Sequence, residues 1–203
     1  MILSDTSIFE ALDDGRLILT PEPSPRVPSV ETPTRPFDRT AVNLRLSSTL
    51  RIPEQDLSVV IDPTIGSAVR TLQRLYREQA IPVEGFKLSP AMFVLGLTEE
   101  GVTLPLPEDV SADARAKGCL AARVEGKSSL ARYGLLVHFT APTIHAGFDG
   151  HIALEIMNLG PAPILLTPSM QICQLIIEQV HGEPQAAGSQ FHGQMDAAGP
   201  RSG

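Results

Sequence analysis

Residues 150–158 read Gly150-His151-Ile152-Ala153-Leu154-Glu155-Ile156-Met157-Asn158, and their alternation governs how the rest of the chain is read. Side chains along a strand point to opposite faces with a period of two. Ile152, Leu154 and Ile156 therefore share one apolar face, while His151, Ala153, Glu155 and Met157 share the other. A strand so uniformly apolar on one side expects a core there. Glu155, set between Ala153 and Met157, has two readings. It is a solvent-facing strand position, or it is a carboxylate drawn into a pocket. In the pocket, desolvation is expected to raise its pKa toward the range of a general base.

The flanking segments extend this pattern. Residues 135–140 and 171–179 read as strands, joined to the first by glycine- and proline-rich connections at 142–147 and 158–168. Further toward the N-terminus, 41–50 alternates, with Val42, Leu44 and Leu46 on one face and Asn43, Arg45 and Ser47 on the other. Strand-like runs recur at 86–88, 92–98 and 120–124. Residues 4–15 read as a short helix, capped by Ser4 or Asp5, with Ile8, Phe9 and Leu12 as its stripe and Gly15 as its end. The spacing of Val69, Leu72 and Leu75 or Tyr76 predicts a surface helix over 65–80, with Arg70, Arg74 and Arg77 outward. Residues 108–117 read as a loop or short helix, and 128–133 as one or two helical turns ended by Gly134. Six prolines between 20 and 36 make that stretch an extended loop.

Many short strands with turn punctuation point to an all-β barrel or sandwich with a few short helices. Eighteen prolines and sixteen glycines in 203 residues exclude a helical bundle. Hydrophobic residues make up 42% of the chain, enough for one core. A single domain is expected over 1–182, followed by a mobile tail at 183–203. The net charge of −7 argues against a phosphate-coating nucleic-acid binder. Cys119 and Cys173 stand 54 positions apart without a CxxC, which excludes a disulfide scaffold or cysteine-rich zinc site and suits a reducing cytoplasm. No signal sequence and no membrane span are read, so a cytoplasmic protein is expected.

Three further constellations carry chemistry. In Gly126-Lys127-Ser128-Ser129-Leu130-Ala131-Arg132, small hydroxyl residues open a helical turn whose N–H and Oγ groups suit an anion, with Lys127 adding charge. On a helix, Ser128 and Arg132 are four apart and share a face. An ordinary serine cap beside an exposed arginine fits the same residues. The stretch from Val137 to Gly150, with His138, Ala141 and His145, leads from strand through turn and back into the Glu155 strand. Its backbone groups can surround a small planar ligand. The two histidines lack a recognised zinc spacing. In the tail, Gln190-Phe191-His192-Gly193-Gln194 places an apolar anchor among amides, fitting either a lid or a floppy terminus.

Together these segments resemble the dCTP deaminase family of the dUTPase-like superfamily. The resemblance rests on Lys127-Ser128-Ser129-Leu130-Ala131-Arg132, on Gly134-Leu135-Leu136-Val137-His138-Phe139-Thr140-Ala141, on Gly147-Phe148-Asp149-Gly150, and on Leu154-Glu155. Weaker matches lie at Asp14-Gly15-Arg16-Leu17, Val42-Asn43-Leu44-Arg45-Leu46 and Val102-Thr103-Leu104-Pro105. It implies a distorted β-barrel or jelly roll that assembles as a homotrimer with active sites between subunits. The implied reaction is dCTP plus water giving dUTP and ammonia. Glu155 would be the general base, Ser128 and the Ala141 carbonyl would position water, and Arg132 would hold the glutamate. Lys127 and Ser129 would contact phosphates, Ala153 would line the base and sugar pocket, and Gln190 and Gln194 would close over the nucleotide. His138, Thr140, His145 and Gln174 complete the implied substrate-binding set. Magnesium would ride on the triphosphate, with no metal held by protein ligands, no zinc, no nucleic acid and no membrane partner. Two isolated cysteines agree, since zinc deaminases need Pro-Cys-x-x-Cys.

The chain departs from the family pattern where it carries His145 in place of an aspartate that contacts deoxyribose or activates water. That substitution argues for release of dUTP over its further cleavage. Gln190 stands where the family has lysine, the tail lacks tyrosine, and 111–118 reads as an insertion. The alternatives are a bifunctional dCTP deaminase and dUTP diphosphatase, a dUTPase-like pyrophosphohydrolase, and a non-catalytic dCTP-binding regulator.

Overall fold

In the computed structural model, residues 1–28, 30, 35–54, 58–62, 68–139, 141–182, 184 and 195–197 are described. The strands are β1 (Ile18–Thr20), β2 (Val42–Pro53), β3 (Tyr76–Ala80), β4 (Phe86–Leu88), β5 (Phe93–Thr103), β6 (Leu120–Gly126), β7 (Leu135–Val137), β8 (Asp149–Asn158), β9 (Ile164–Leu166) and β10 (Gln171–Gln179). The helices α1 (Asp5–Asp13), α2 (Ala68–Leu75), α3 (Ala112–Ala116) and α4 (Ser128–Ala131) are short, and a 3₁₀ turn spans Pro107–Asp109. No helix among the described residues is long and apolar enough to cross a membrane.

Apolar alternation forces the strands to bury one face, and they do so by curling one sheet around itself. Its order is β6-β10-β2-β5-β8-β7, with β1 added to β5 and β3 to β2; β4 and β9 form a separate pair. The two ends of the order approach one another. Ala122 of β6 and Ile144 exchange N–H···O bonds of 2.9 and 2.6 Å, so the sheet is a nearly closed barrel. Leu44, Leu46, Val94, Leu154, Ile156 and Leu175 are fully buried inside it. The mainly-β barrel expectation holds.

Three local expectations give way to the tertiary structure. Of the helix expected over 65–80, only α2 forms, and Tyr76–Ala80 is the strand β3; residues 65–67 lie outside the described set. The reason is the outer edge of β2, which extends to Pro53 and offers a ladder from Pro53↔Tyr76 to Thr49↔Ala80. Unpaired edge groups outweigh a modest helix propensity. Asn43, expected on a solvent face, is 4% exposed, because Pro36 and Asp38 fold over it and accept from its Nδ2, each at 3.0 Å. The strand read over 135–140 stops at Val137, because His138 takes φ +64°.

The turn that delivers α4 to β7 is set by close backbone approach. A Cβ on Gly134 (φ +91°) would lie 2.2 Å from the Gly160 nitrogen. Asn158, wholly buried, holds the facing loop by donating to Leu88 and Ala162 carbonyls at 2.9 and 2.8 Å and accepting from Gly160 N–H at 2.8 Å. Gly134→Ala is predicted to lose more than about 2 kcal/mol, because backbone contact adds to left-handed strain. Gly15→Ala, at φ +77° with nothing within 4 Å, carries the strain alone and should lose ~1–2 kcal/mol. Urea unfolding of both variants measures the gap, and equal losses would remove the packing explanation.

Candidate active site

The β8 strand sits between β5 and β7, so Glu155 is fixed from both sides. Leu95 is its Cα partner on β5, and Val137 pairs with Ile156 one residue along. The burial pattern follows the alternation read from sequence: Ile152, Leu154 and Ile156 are buried, while Ala153, Glu155 and Met157 are half-buried on the other face. The next rung of the β7 ladder is the His138 N–H, which donates to the Glu155 carbonyl at 2.8 Å. There the chain turns through its left-handed residue, and the imidazole comes back over the carboxylate.

His138 Nδ1 lies 3.1 Å from Glu155 Oε2, with the side chains 7% and 32% exposed. The distance is that of an ion pair, but the ring N–H directions are not aligned for a hydrogen bond. Among the described residues, four buried side-chain nitrogen or oxygen atoms lack a hydrogen-bond partner, and three are His138 Nδ1, His138 Nε2 and Glu155 Oε2. Under-satisfied buried groups are rare and gather where chemistry, not stability, sets the arrangement. The expected rise in the Glu155 pKa is corrected here. Burial does push the carboxyl up, but the His138 ring and the N–H groups of Glu155 and Phe139 pull harder, and the net direction is down from 4.5. This carboxylate is ionised across the neutral range, as a proton acceptor must be.

A second cluster forms around Asn43. Lys127 Nζ donates to Asn43 Oδ1 and, at 3.4 Å, to Gln171 Oε1. Gln174 Nε2 donates to Asp38 Oδ2 at 2.6 Å and Asn43 Oδ1 at 3.3 Å. Partial burial lowers the Lys127 pKa, while the Asp38 charge opposes that fall. Lys127 and Gln174 are thus brought together by Asn43 and Asp38, which sequence reading did not select. The available signal was an amide in an otherwise apolar strand run, Val42-Asn43-Leu44.

Ser128, Ser129 and Arg132 lie exposed on and just after α4. Among the described residues, no hydrogen bond or ion pair links them to Glu155. Lys127 begins this turn, and β6 ends beside β7, where a Cβ on Gly126 would stand 3.8 Å from the Val137 carbonyl oxygen. Ala141 and His145 are exposed in the loop between β7 and β8. Ala153 lies on the Glu155 face, with Leu97 as its Cα partner. Thr140, Gln190 and Gln194 lie outside the described residues. No group of three or more His, Cys, Asp or Glu side chains among the described residues is placed to hold a metal ion. Cys119 and Cys173 are buried and free, and burial raises the Cys173 thiol far above its usual pKa.

Comparison with known proteins gives this geometry its family. A family model described as dCTP deaminase-like matches residues 2–180. A protein of Dictyoglomus thermophilum named "dCTP deaminase, dUMP-forming" is 34% identical over 206 residues, covering 99% of this chain and 94% of its own. Its namesake in Clavibacter michiganensis is 37% identical, covering 100% and 90%. A "dCTP deaminase" of Rhodospirillum rubrum is 35% identical, covering 88% and 82%. Among solved structures, the 2'-deoxycytidine 5'-triphosphate deaminase of Agrobacterium tumefaciens shares the fold, with a TM-score of 0.58 at 21% identity. That match covers 89% of this chain, which spans 48% of the other's length. With the signature running from Lys127 to Glu155 and the match reaching from β8 outward to both ends of the barrel, the chain belongs to the dCTP deaminase-like family.

Proposed function

We propose that this protein hydrolyses the exocyclic amine of dCTP, with Glu155 as the general base. The observation that carries the reading is the under-satisfied His138–Glu155 pair on a strand face within the family's signature region. Water attacks C4 of cytosine as Glu155 accepts its proton. The carboxyl passes that proton to ring N3, then carries the second proton from the new C4 hydroxyl to the amine, so that the C4–N bond breaks, ammonia leaves and the C4 carbonyl remains. Ser128 and the Ala141 carbonyl orient the water, and Arg132 steadies the carboxylate and the charge that develops. Lys127 and Ser129 face the phosphates of a magnesium-bound triphosphate, with Gln174 held close to Lys127 by Asn43. Because α4 presents Ser128 and Arg132 to solvent while Glu155 lies on another element, we read the site as shared between protomers of a homotrimer. His138, Thr140 and His145 border the nucleotide, Ala153 lines its base and sugar pocket, and Gln190 and Gln194 close over it.

We take dUTP as the product, because His145 stands where an aspartate would otherwise activate water for attack on phosphate. A second reading, in which dUMP is formed, is favoured by the names of the relatives from D. thermophilum and C. michiganensis. Incubation with dCTP and magnesium separates the two. Ammonia with dUTP supports the first, and ammonia with dUMP and pyrophosphate supports the second. Binding of dCTP without ammonia would leave a regulator.

Replacing Glu155 with Gln keeps the shape and removes the base. It is predicted to cut ammonia release on the order of 10³-fold while calorimetry still detects dCTP binding; unimpaired turnover would end the assignment. The pH profile supplies a second check. A depressed Glu155 pKa puts the acid limb of kcat/KM below the ordinary glutamate value of 4.5. His138→Asn removes the group that lowers it and leaves burial, which raises it, so the limb should move to higher pH. A limb that stays in place or moves down would separate His138 from the titration.

A further inference from the structure

Residues 195–197 sit on the barrel wall, and the strand register locates them. Leu95 is the Cα partner of Arg51 on β2 and of Glu155 on β8. Directly paired residues point from the same face, so Arg51, Leu95 and Glu155 form one row across three strands. Strands lie about 4.8 Å apart, which puts the Arg51 backbone roughly 10 Å from that of Glu155. Leu97, two residues on from Leu95, shares that face and is the Cα partner of Ala153.

Asp196 is fastened to this face by two bonds. Arg51 Nε donates to its Oδ1 at 3.0 Å, and Arg51 Nη2 donates to its Oδ2. The two side chains are 15% and 6% exposed. With Thr49, Arg51 and Leu97, residues 195–197 enclose a cavity of about 30 Å³. A carboxylate this buried keeps its charge only beside its cation. Without that pair a charge would be stranded in a buried place, so residues 195–197 are expected to leave the wall. Arg51 has a second partner in Glu78 at 3.1 Å, so the barrel side of the contact survives the loss of Asp196.

We infer that Arg51 and Asp196 are positioning residues that hold residues 195–197 as a side wall of the Glu155 face, confining the part of a bound nucleotide that lies over Ala153. The inference rests on Glu155 being the deaminating group. Its acidic anchor pairs within the protein, so the wall presents no free carboxylate to a triphosphate.

The test uses the full chain with Asp196→Asn, Asp196→Glu and Arg51→Gln, and magnesium–dCTP as the probe. Asp196, which lies outside the strands of the barrel, carries the test should Arg51→Gln fail to fold. In Asp196→Asn, hydrogen exchange is expected to lose protection at 195–197 with Tm unchanged. KM for dCTP should rise about fivefold or more while kcat stays within about twofold, the split expected of a confining wall and not of the chemical machinery. Asp196→Glu, which keeps the charge, should recover part of that KM. Retained protection would overturn the anchor. A released segment with KM unchanged overturns the wall, and one with KM lowered reveals a plug in its place. Should the unaltered chain make no ammonia from dCTP, the deaminase reading fails together with the wall's ligand, and exchange still decides the anchor.

Discussion

The structure depends on β8 being locked between two partners. Its inner face must bury Ile152, Leu154 and Ile156, and a one-residue slip would turn all three outward and send Glu155 into the core. Ladders to β5 on one side and β7 on the other forbid that slip. The hydrophobic demand of the barrel therefore fixes where a carboxylate stands to within the pleat of a strand. The last rung, from His138 N–H to the Glu155 carbonyl, also brings the imidazole to its carboxylate, so one backbone bond sets the height of both side chains. His138 is one of three non-glycine residues with positive φ among the described ones, with Ala91 and Ser169, and its strain lies beside the carboxylate.

The same sheet contains a second buried acid, and the contrast is instructive. Glu100 is wholly buried, yet its two oxygens accept from Arg45 N–H at 2.8 Å and Arg45 Nε at 2.7 Å. With a hydrogen bond on each oxygen and its charge paired with a guanidinium, this carboxylate stabilises the β2–β5 junction and is held too firmly to serve as a base. Glu155 is more exposed, and its inner oxygen meets only an unaligned imidazole. A base needs an oxygen that is ionised but not committed, and the two glutamates divide along that line. Satisfaction builds the wall, and on the proposed reading incomplete satisfaction leaves a base on it.

Local periodicity made part of this legible. The β8 alternation, the β10 bounds and the Ser4-capped α1 follow from residues adjacent in sequence, and the structure has them where the pattern predicts. What escaped the pattern is made by distant partners. The strand β3 exists because β2 offers it an edge, and β9, read as part of a loop, exists because β4 pairs with it. Asn43 looks like a surface amide until Gln174 and Lys127, 131 and 84 residues away, arrive to bond it. The direction of the Glu155 pKa turned on a histidine on the neighbouring ladder, which no reading of 150–158 alone contains.

On the proposed reading, the placement of charge gives a physical reason for dividing the site between protomers. Arg132 and the two serines lie exposed at α4, where water already serves them, so the monomer gives up little by leaving them unbonded. Glu155 is half-buried and cannot take a close cation from its own strand without becoming another Glu100. If the site is shared as proposed, a guanidinium of a neighbouring protomer meets the carboxylate once substrate lies between them. On the proposed reading, the same carboxylate can then be loosely held before binding and firmly oriented after it.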